Sequence, residues 1–196
     1  MIRTFDTLFS LIVIILTLPI SIVIAIAIKL SSRGTIIFTQ ERIGLHGETF
    51  RLYKFRSMRQ ERNSDDFQLT VGDDSRITGI GRIIRRLKLD ELPQFINVLA
   101  GDMAIIGPRP EVPHYVSQYT PRMRKIFDYK PGLTDPASIK FQNEAELLAA
   151  VDDPGNLYLG DILPKKISLS LEYQEKRTLL TDFGVILQTV ALMFGH

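Results

Sequence analysis

Apolar side chains follow three different rhythms along this chain. Residues 7–28 carry no charged side chain and are mostly Leu, Ile, Val and Ala. As a helix this stretch would run about 33 Å, enough to cross the apolar core of a bilayer. It is longer than a signal-peptide core of about 7–15 residues. The one Arg ahead of it is balanced by Asp6, so cleavage after Ala25-Ile26-Ala27 is not expected. Pro19 sits near the middle, lacks an N–H and crowds the preceding turn, which predicts a kink. Two paths fit: a kinked span, or a re-entrant helix–break–helix that enters and leaves by one face. Lys29 and Arg33 follow at once, and the positive-inside rule places residues 30–196 in the cytoplasm.

Beyond residue 33 the rhythm shortens. Residues 35–44 and 48–57 read as two strands joined by Leu45-His46-Gly47, a β-hairpin. On the second strand Phe50, Leu52 and Lys54 share a face. Lys54 then either snorkels from an edge or directs its ammonium at an anion. Residues 59–75 read as a polar loop. Ile77, Ile80, Ile83, Ile84 and Leu87 recur at helical spacing, with Arg82, Arg85, Arg86 and Lys88 on the other side. That basic face is either solvated or a surface for phosphate and headgroups. Leu92, Phe95, Ile96 and Leu99 form a further stripe, with Pro93 in a first turn and Gly101 as the C-terminal cap. Asp90 and Glu91 therefore lie at or just before a helix start, where they cap it or serve chemistry on an anion.

In Gly107-Pro108-Arg109-Pro110 the prolines stiffen the backbone around one guanidinium. That is a surface turn or a two-point phosphate contact. Lys130-Pro131-Gly132-Leu133-Thr134 reads as a basic turn, and residues 143–161 as an acidic surface excursion. Residues 179–194 form a helix apolar on most sides, either core or membrane-interfacial. The expected fold class is α+β, mostly helical. A membrane-anchoring segment (1–32) precedes a cytoplasmic domain (33–196) with a small hairpin and amphipathic surface helices.

Composition narrows the chemistry. The 196 residues include no Cys and three His, which excludes disulfides, thiolate metal sites and cysteine nucleophiles, and disfavours a multi-histidine metal site. Residues 1–140 hold 20 of the 24 Lys and Arg but 14 of the 22 Asp and Glu. A basic region beside an apolar anchor points to anionic headgroups or phosphate-bearing substrates. No nucleic-acid motif accompanies it, so nucleic acid is not an expected partner.

Three blocks in this order carry a resemblance: Tyr53-Lys54-Phe55-Arg56-Ser57-Met58, the run LDELPQFINVLAGDMAIIGPRP over residues 89–110, and Lys130-Pro131-Gly132-Leu133-Thr134. Together they resemble the bacterial sugar transferases, or monotopic phosphoglycosyl transferases, over nearly the whole chain. The resemblance implies transfer of a sugar-1-phosphate from a UDP-sugar to polyprenyl (undecaprenyl) phosphate, releasing UMP and initiating a bacterial polysaccharide such as an exopolysaccharide. It implies the minimal single-domain form, a Pro19 helix break with a re-entrant path, and the cytoplasmic face of the inner membrane. By matching positions Asp90 is the expected nucleophile, attacking through an aspartyl-phosphosugar intermediate. Glu91 is its partner and a ligand of Mg2+. Lys54, Arg85 and Arg109 are the expected phosphate-binding groups.

The expected partners are the UDP-sugar donor, the polyprenyl phosphate acceptor and the inner leaflet, with a homodimer as a further candidate. Two departures stand out. Leu18-Pro19 replaces a frequent Ser-Pro, and Asp135-Pro136-Ala137-Ser138 stands where many members read Gly-Trp-Ala-Gln. The competing readings are a non-enzymatic, membrane-anchored adaptor for anionic lipid, and an aspartyl-phosphate hydrolase.

Overall fold

The computed structural model describes residues 2–59 and 74–194, so nearly all of the loop expected over residues 59–75 lies outside the described residues. Helix α1 (Ile2–Ser31) takes up the whole N-terminal apolar run and continues through Pro19. The expected break does not divide it into two helices. Proline removes one N–H, here the partner of the Ile15 carbonyl, and a long helix keeps its other hydrogen bonds around that gap. In the same stretch the Thr17 hydroxyl turns back onto the Val13 carbonyl at 2.7 Å.

Both ends of α1 are fastened to the same body. Near its start, the Arg3 guanidinium donates to the Val98 and Leu99 carbonyls, and buried Asp6 accepts from the Ile105 N–H at 3.4 Å. Near its end, Ile24 and Ile28 are buried with Phe55 and Ile84. There the Arg56 guanidinium donates to the Ile28 and Ser32 carbonyls, a cation at the negative end of the helix dipole. Residues 11–23 between these latches bury no side chain. By length and composition α1 could cross a membrane.

Strands β1 (Ile37–Ile43) and β2 (Thr49–Phe55) form the expected antiparallel hairpin, turned by one 3-10 turn over Leu45–Gly47 in which His46 and Gly47 take positive φ. The register sets Phe38 opposite Lys54, Gln40 opposite Leu52 and Arg42 opposite Phe50, so these six share one face. Helix α2 (Gly79–Arg86) starts on a Thr78 cap, whose hydroxyl accepts from the Gly81 N–H at 2.9 Å. Its Ile84 is buried, while Ile83 and Leu87 stay exposed beside exposed Arg82 and Arg86.

Helix α3 (Gln94–Ala100) stops at Gly101, whose φ of 99° supplies the left-handed cap. Its inward face differs from the expected stripe. Gln94, Asn97 and Val98 are buried and Ile96 is exposed. The cause is Asn97: its amide accepts from the Tyr53 N–H at 3.1 Å and donates to the Arg51 carbonyl at 2.7 Å, stitching α3 to β2. Two backbone hydrogen bonds outweigh the apolar periodicity in setting the helix rotation.

Strand β3 (Ala104–Ile106), α4 (Pro113–Val116) and β4 (Gly132–Thr134) follow, with β3 and β4 paired in parallel. The basic segment expected to be only a turn thus runs on into a strand. Gly107 and Gly132 meet back to back: a Cβ on Gly132 would stand 2.1 Å from the Gly107 nitrogen. The chain ends in α5 (Pro136–Lys140), α6 (Glu144–Ala149), α7 (Pro154–Leu157), α8 (Leu163–Lys176) and α9 (Leu179–Phe194). The fold is α+β and mostly helical, as expected.

The expected acidic excursion over residues 143–161 is only partly a surface feature. Leu148 and Tyr158 from it, and Ile162 just after, are buried with Val112, Tyr115 and Tyr119. Burying Tyr158 is possible because its hydroxyl finds the Glu111 carboxylate. Helix α9 buries Asp182 and Val185 and leaves Leu180, Phe183 and Leu187 exposed, so one helix holds both a core face and an uncovered apolar face. Asp182 is satisfied by Arg177 and by the Tyr173 hydroxyl.

Asn97→Ala would leave the Tyr53 N–H and the Arg51 carbonyl without partners. At roughly 1–3 kcal/mol for each of the two orphaned groups, the expected cost is about 2–6 kcal/mol. Thermal unfolding in detergent should show a Tm lower by several degrees; an unchanged Tm would remove Asn97 as the stitch.

Candidate active site

One turn of 3-10 helix, Leu89–Glu91, links α2 to α3 and is entered through Lys88 at a φ of 53°. Asp90 and Glu91 thus precede α3, as the position of Pro93 implied. Asp90 is 9% exposed, and no hydrogen bond among the described residues reaches its carboxyl oxygens. Glu91 is held from two sides. Lys54, on the inner face of β2, donates to Oε1 at 2.9 Å, and Arg109, from the loop after β3, donates to the same oxygen at 2.6 Å. Among the described residues Oε2 receives no hydrogen bond.

Of the expected site residues, Lys54, Asp90, Glu91 and Arg109 come together from three segments. Arg85, from the last turn of α2, lies close enough to act on the Asp90 charge. Its Nη1 meets the Met58 sulfur at 3.3 Å and it is not ion-paired with the dyad. Pro19 lies on the exposed stretch of α1 and makes no part of this cluster.

Adjacent carboxyls in unlike surroundings titrate apart. Burial, and then the Glu91 charge, raise the Asp90 carboxyl to about 6 against the pull of Lys54, Arg85 and Arg109. Burial opposes the Glu91 charge too, but Arg109 and Lys54 more than offset it and hold Glu91 well below the usual carboxylate range. Burial lowers the Lys54 ammonium, with Glu91 opposing. Glu91 raises Arg109. Near neutrality Glu91 is therefore a fixed anion saturated on one oxygen. Asp90 is an unpaired carboxylate, costly to keep buried and chemically available.

Three residues missed from sequence surround this group. The Arg42 guanidinium donates to the Pro110 carbonyl and to Glu111, each at 3.1 Å, and to Gln40 at 2.7 Å. Glu111 also accepts from the Val112 N–H and the Tyr158 hydroxyl. Arg42 was findable: strand alternation across the hairpin puts it on the face of Lys54. Tyr158 had no local signal, since it joins Glu111 only through the tertiary fold. Beside Arg109 lies a cavity of about 40 Å³, lined in part by Pro108, Glu111, Asp135, Lys166 and Ser170. Asp135 is fully buried there, and its oxygens accept from the Ser138 N–H and the Ser138 and Ser170 hydroxyls. It caps α5 and ties it to α8.

Among the described residues no three or more His, Asp or Glu side chains gather as a metal site. Two carboxylates with a spare oxygen are a sparse set. They suit a hard divalent ion that takes its remaining ligands from water and substrate phosphates.

The family model for bacterial sugar transferase matches residues 1–196. Over 190 residues the chain is 38% identical to the UDP-N-acetylgalactosamine-undecaprenyl-phosphate N-acetylgalactosaminephosphotransferase of Aeromonas hydrophila, covering 93% of this chain and 44% of that protein. It is 34% identical over 192 residues to the UDP-glucose:undecaprenyl-phosphate glucose-1-phosphate transferase of Escherichia coli (strain K12), covering 96% and 39%. A relative of the same name from Caulobacter vibrioides is 31% identical over 191 residues, covering 96% and 67%. The chain thus spans less than half the length of the first two relatives.

The raised Asp90 value makes a prediction about stability. An aspartate raised on folding binds its proton more tightly in the native state, so stability falls as pH rises from about 4 to about 6 and stays reduced above. Asp90→Asn removes that penalty. At pH 8 the variant should melt above the parent, and at pH 4 the advantage should be gone. Thermal unfolding at the two pH values checks this, and a variant less stable at pH 8 would refute a strained, unpaired Asp90.

Proposed function

The chain belongs to the bacterial sugar transferase family, and we propose that it transfers a sugar-1-phosphate from a UDP-sugar to polyprenyl phosphate. The single observation that carries this reading is the buried, unpartnered Asp90 beside a Glu91 held by Lys54 and Arg109. A diphosphate donor carries about two negative charges, and a carboxylate approaching it through low dielectric would be repelled. Lys54, Arg85 and Arg109 supply the opposing charge around that approach.

In the first step an Asp90 oxygen attacks the phosphorus that bears the sugar. A P–O bond to Asp90 forms, the bond to the UMP oxygen breaks, and UMP leaves with the electron pair. Asp90 then holds the sugar phosphate as an acyl phosphate. In the second step a phosphate oxygen of the polyprenyl phosphate attacks the same phosphorus. The bond to Asp90 breaks, its carboxylate is restored, and polyprenyl-diphosphate-sugar departs. Mg2+ fits this donor set, with Glu91 through Oε2 and Asp90 as the residues that would hold it; when bound it supplies charge neutralisation across the diphosphate. Arg109 and Lys54 keep Glu91 ionised and oriented before substrate arrives.

The acceptor phosphate lies at a membrane surface, so the dyad must work at that depth. Helix α1 supports a re-entrant path, with both ends on the cytoplasmic side, because Arg3, Asp6 and Arg56 fasten both ends to one body while residues 11–23 stay bare. A helix crossing the bilayer would carry one of those polar latches to the far side. Lys29 and Arg33 directly after the apolar run favour the cytoplasmic face of a bacterial inner membrane. The adaptor reading is weaker, since Lys54 turns its charge inward to Glu91 and away from any lipid.

Four outcomes are expected. Asp90→Asn should abolish UMP release while the protein stays folded and membrane-bound; a loss below tenfold, about 1.4 kcal/mol of transition-state stabilisation, would sink the nucleophile role. UDP-sugar without acceptor should leave a hydroxylamine-labile phosphosugar adduct on the Asp90 peptide of the parent, visible by mass spectrometry. Since the ionised carboxylate attacks, kcat/KM for the donor should rise about tenfold per pH unit up to roughly pH 6 and then level. For the re-entrant path, a cysteine at Thr4 should resist an impermeant thiol reagent added outside intact spheroplasts. Labelling there would establish a full span.

A further inference from the structure

We propose that Arg42, Glu111 and Tyr158 form a clamp that positions Arg109 over the dyad, and that Arg42 acts through Arg109 without touching substrate. The inference rests on the phosphoglycosyl transfer proposed above.

Arg109 has to present its guanidinium from a loop that is locally stiff but has few donors of its own to fix it to its neighbours. Pro108 and Pro110 flank it, and neither has an N–H to give to a neighbour. Its side chain is 38% exposed. On the upstream side the loop is held by backbone alone: the Gly107 N–H donates to the Thr134 carbonyl at 3.1 Å, and the Pro108 carbonyl accepts from Gly132 at 3.0 Å. On the downstream side the Ile43 N–H reaches the Glu111 carbonyl at 2.9 Å. Two carbonyls lie between them, those of Arg109 and Pro110, and Arg42 takes the one next to Glu111.

Both Nη groups of the Arg42 guanidinium are held by protein, while its buried Nε has no hydrogen-bond partner among the described residues. One Nη1 bridges the Pro110 carbonyl and the Glu111 carboxylate, and Nη2 is held by Gln40. Glu111 in turn is fixed by the Val112 N–H and by Tyr158. A planar fork can hold a carbonyl and a carboxylate at once, which an ammonium cannot reproduce. Glu111 also neutralises Arg42, so two neighbouring guanidiniums do not compete for Glu91. Strand register completes the logic. Lys54 and Arg42 rise from the same face of one hairpin, so that face sets both cations that reach Glu91, one directly and one through the loop.

The test is a double-mutant cycle on donor kcat/KM, read as UMP release from UDP-sugar with polyprenyl phosphate. Arg42→Gln should lose about tenfold or more in the parent background and under about threefold in an Arg109→Ala background, because coupled residues are not additive. Arg42→Lys should restore little, since it keeps the charge and loses the bridge. Tyr158→Phe removes only a hydroxyl and serves if Arg42→Gln fails to fold; its loss should be about threefold to tenfold and should likewise shrink without Arg109. Equal losses in both backgrounds would overturn the clamp and make Arg42 a direct phosphate ligand or a purely structural residue. If the parent releases no UMP from any UDP-sugar, the transfer reading fails by itself. The clamp is then judged by hydrogen exchange over residues 107–112: faster exchange in Tyr158→Phe upholds it and unchanged exchange overturns it.

Discussion

Two cations converge on one oxygen. Lys54 and Arg109 both donate to Glu91 Oε1, and the rest of the site follows from that shared contact. Because Oε1 is saturated, Glu91 stays ionised and its second oxygen stays open. Because Glu91 stays ionised, its charge adds to burial in raising the adjacent Asp90. A buried carboxylate that cannot be paired without losing its reactivity is a standing cost, and the cations limit that cost without removing it. The neighbouring acids divide into a fixed charge and a reactive one by environment alone.

That contact demands that a strand, a 3-10 turn and a proline loop be set within a fraction of an ångström. The backbone stitches around the dyad serve this geometry. Asn97 fixes β2 to α3 one residue away from Lys54. Gly107 and Gly132 let the Arg109 loop and β4 touch backbone to backbone, which any Cβ would prevent. These restraints cost apolar burial on α3, where polar Asn97 and Gln94 face inward and Ile96 faces out. Local periodicity gives way where a functional side chain must be aimed.

What could be read from sequence divides along the same line. Short-range patterns were legible: the hairpin, α2 with its basic side, the Gly101 cap and the long apolar helix each follow from spacing or one special residue. The four charged side chains that meet were legible as a family resemblance, and Lys54 also as a charge on an apolar strand face. Less legible was anything decided by partners distant in sequence. The rotation of α3 depends on Tyr53 and Arg51, the burial of Tyr158 on Glu111, and the parallel pairing of residues 132–134 on β3. Pro19 was legible as a point of local distortion, but not whether the helix assignment would divide there. A proline removes one hydrogen bond, and a 30-residue helix keeps its continuity around that loss.

The placement of α1 connects the site to its surroundings. Its start is tied by Arg3 to the end of α3, the helix that follows the dyad, and its end is tied by Arg56, two residues beyond Lys54. The two elements that bring Glu91 and Lys54 together are thus each fastened to an end of the same apolar helix. Exposed Ile83, Leu87 and Ile96 on the neighbouring helices flank the dyad turn, with Arg82 and Arg86 beside them. An apolar rim edged with arginine is the composition that suits a headgroup boundary, with carbon for lipid and charge for phosphate. Under the proposed reaction one substrate comes from water and the other from lipid, so the dyad has to be fixed at that boundary and not merely near it. A helix tethered at one end would leave the body free to swing. Tethering at both ends fixes the dyad relative to the apolar helix with the same contacts that align its two carriers.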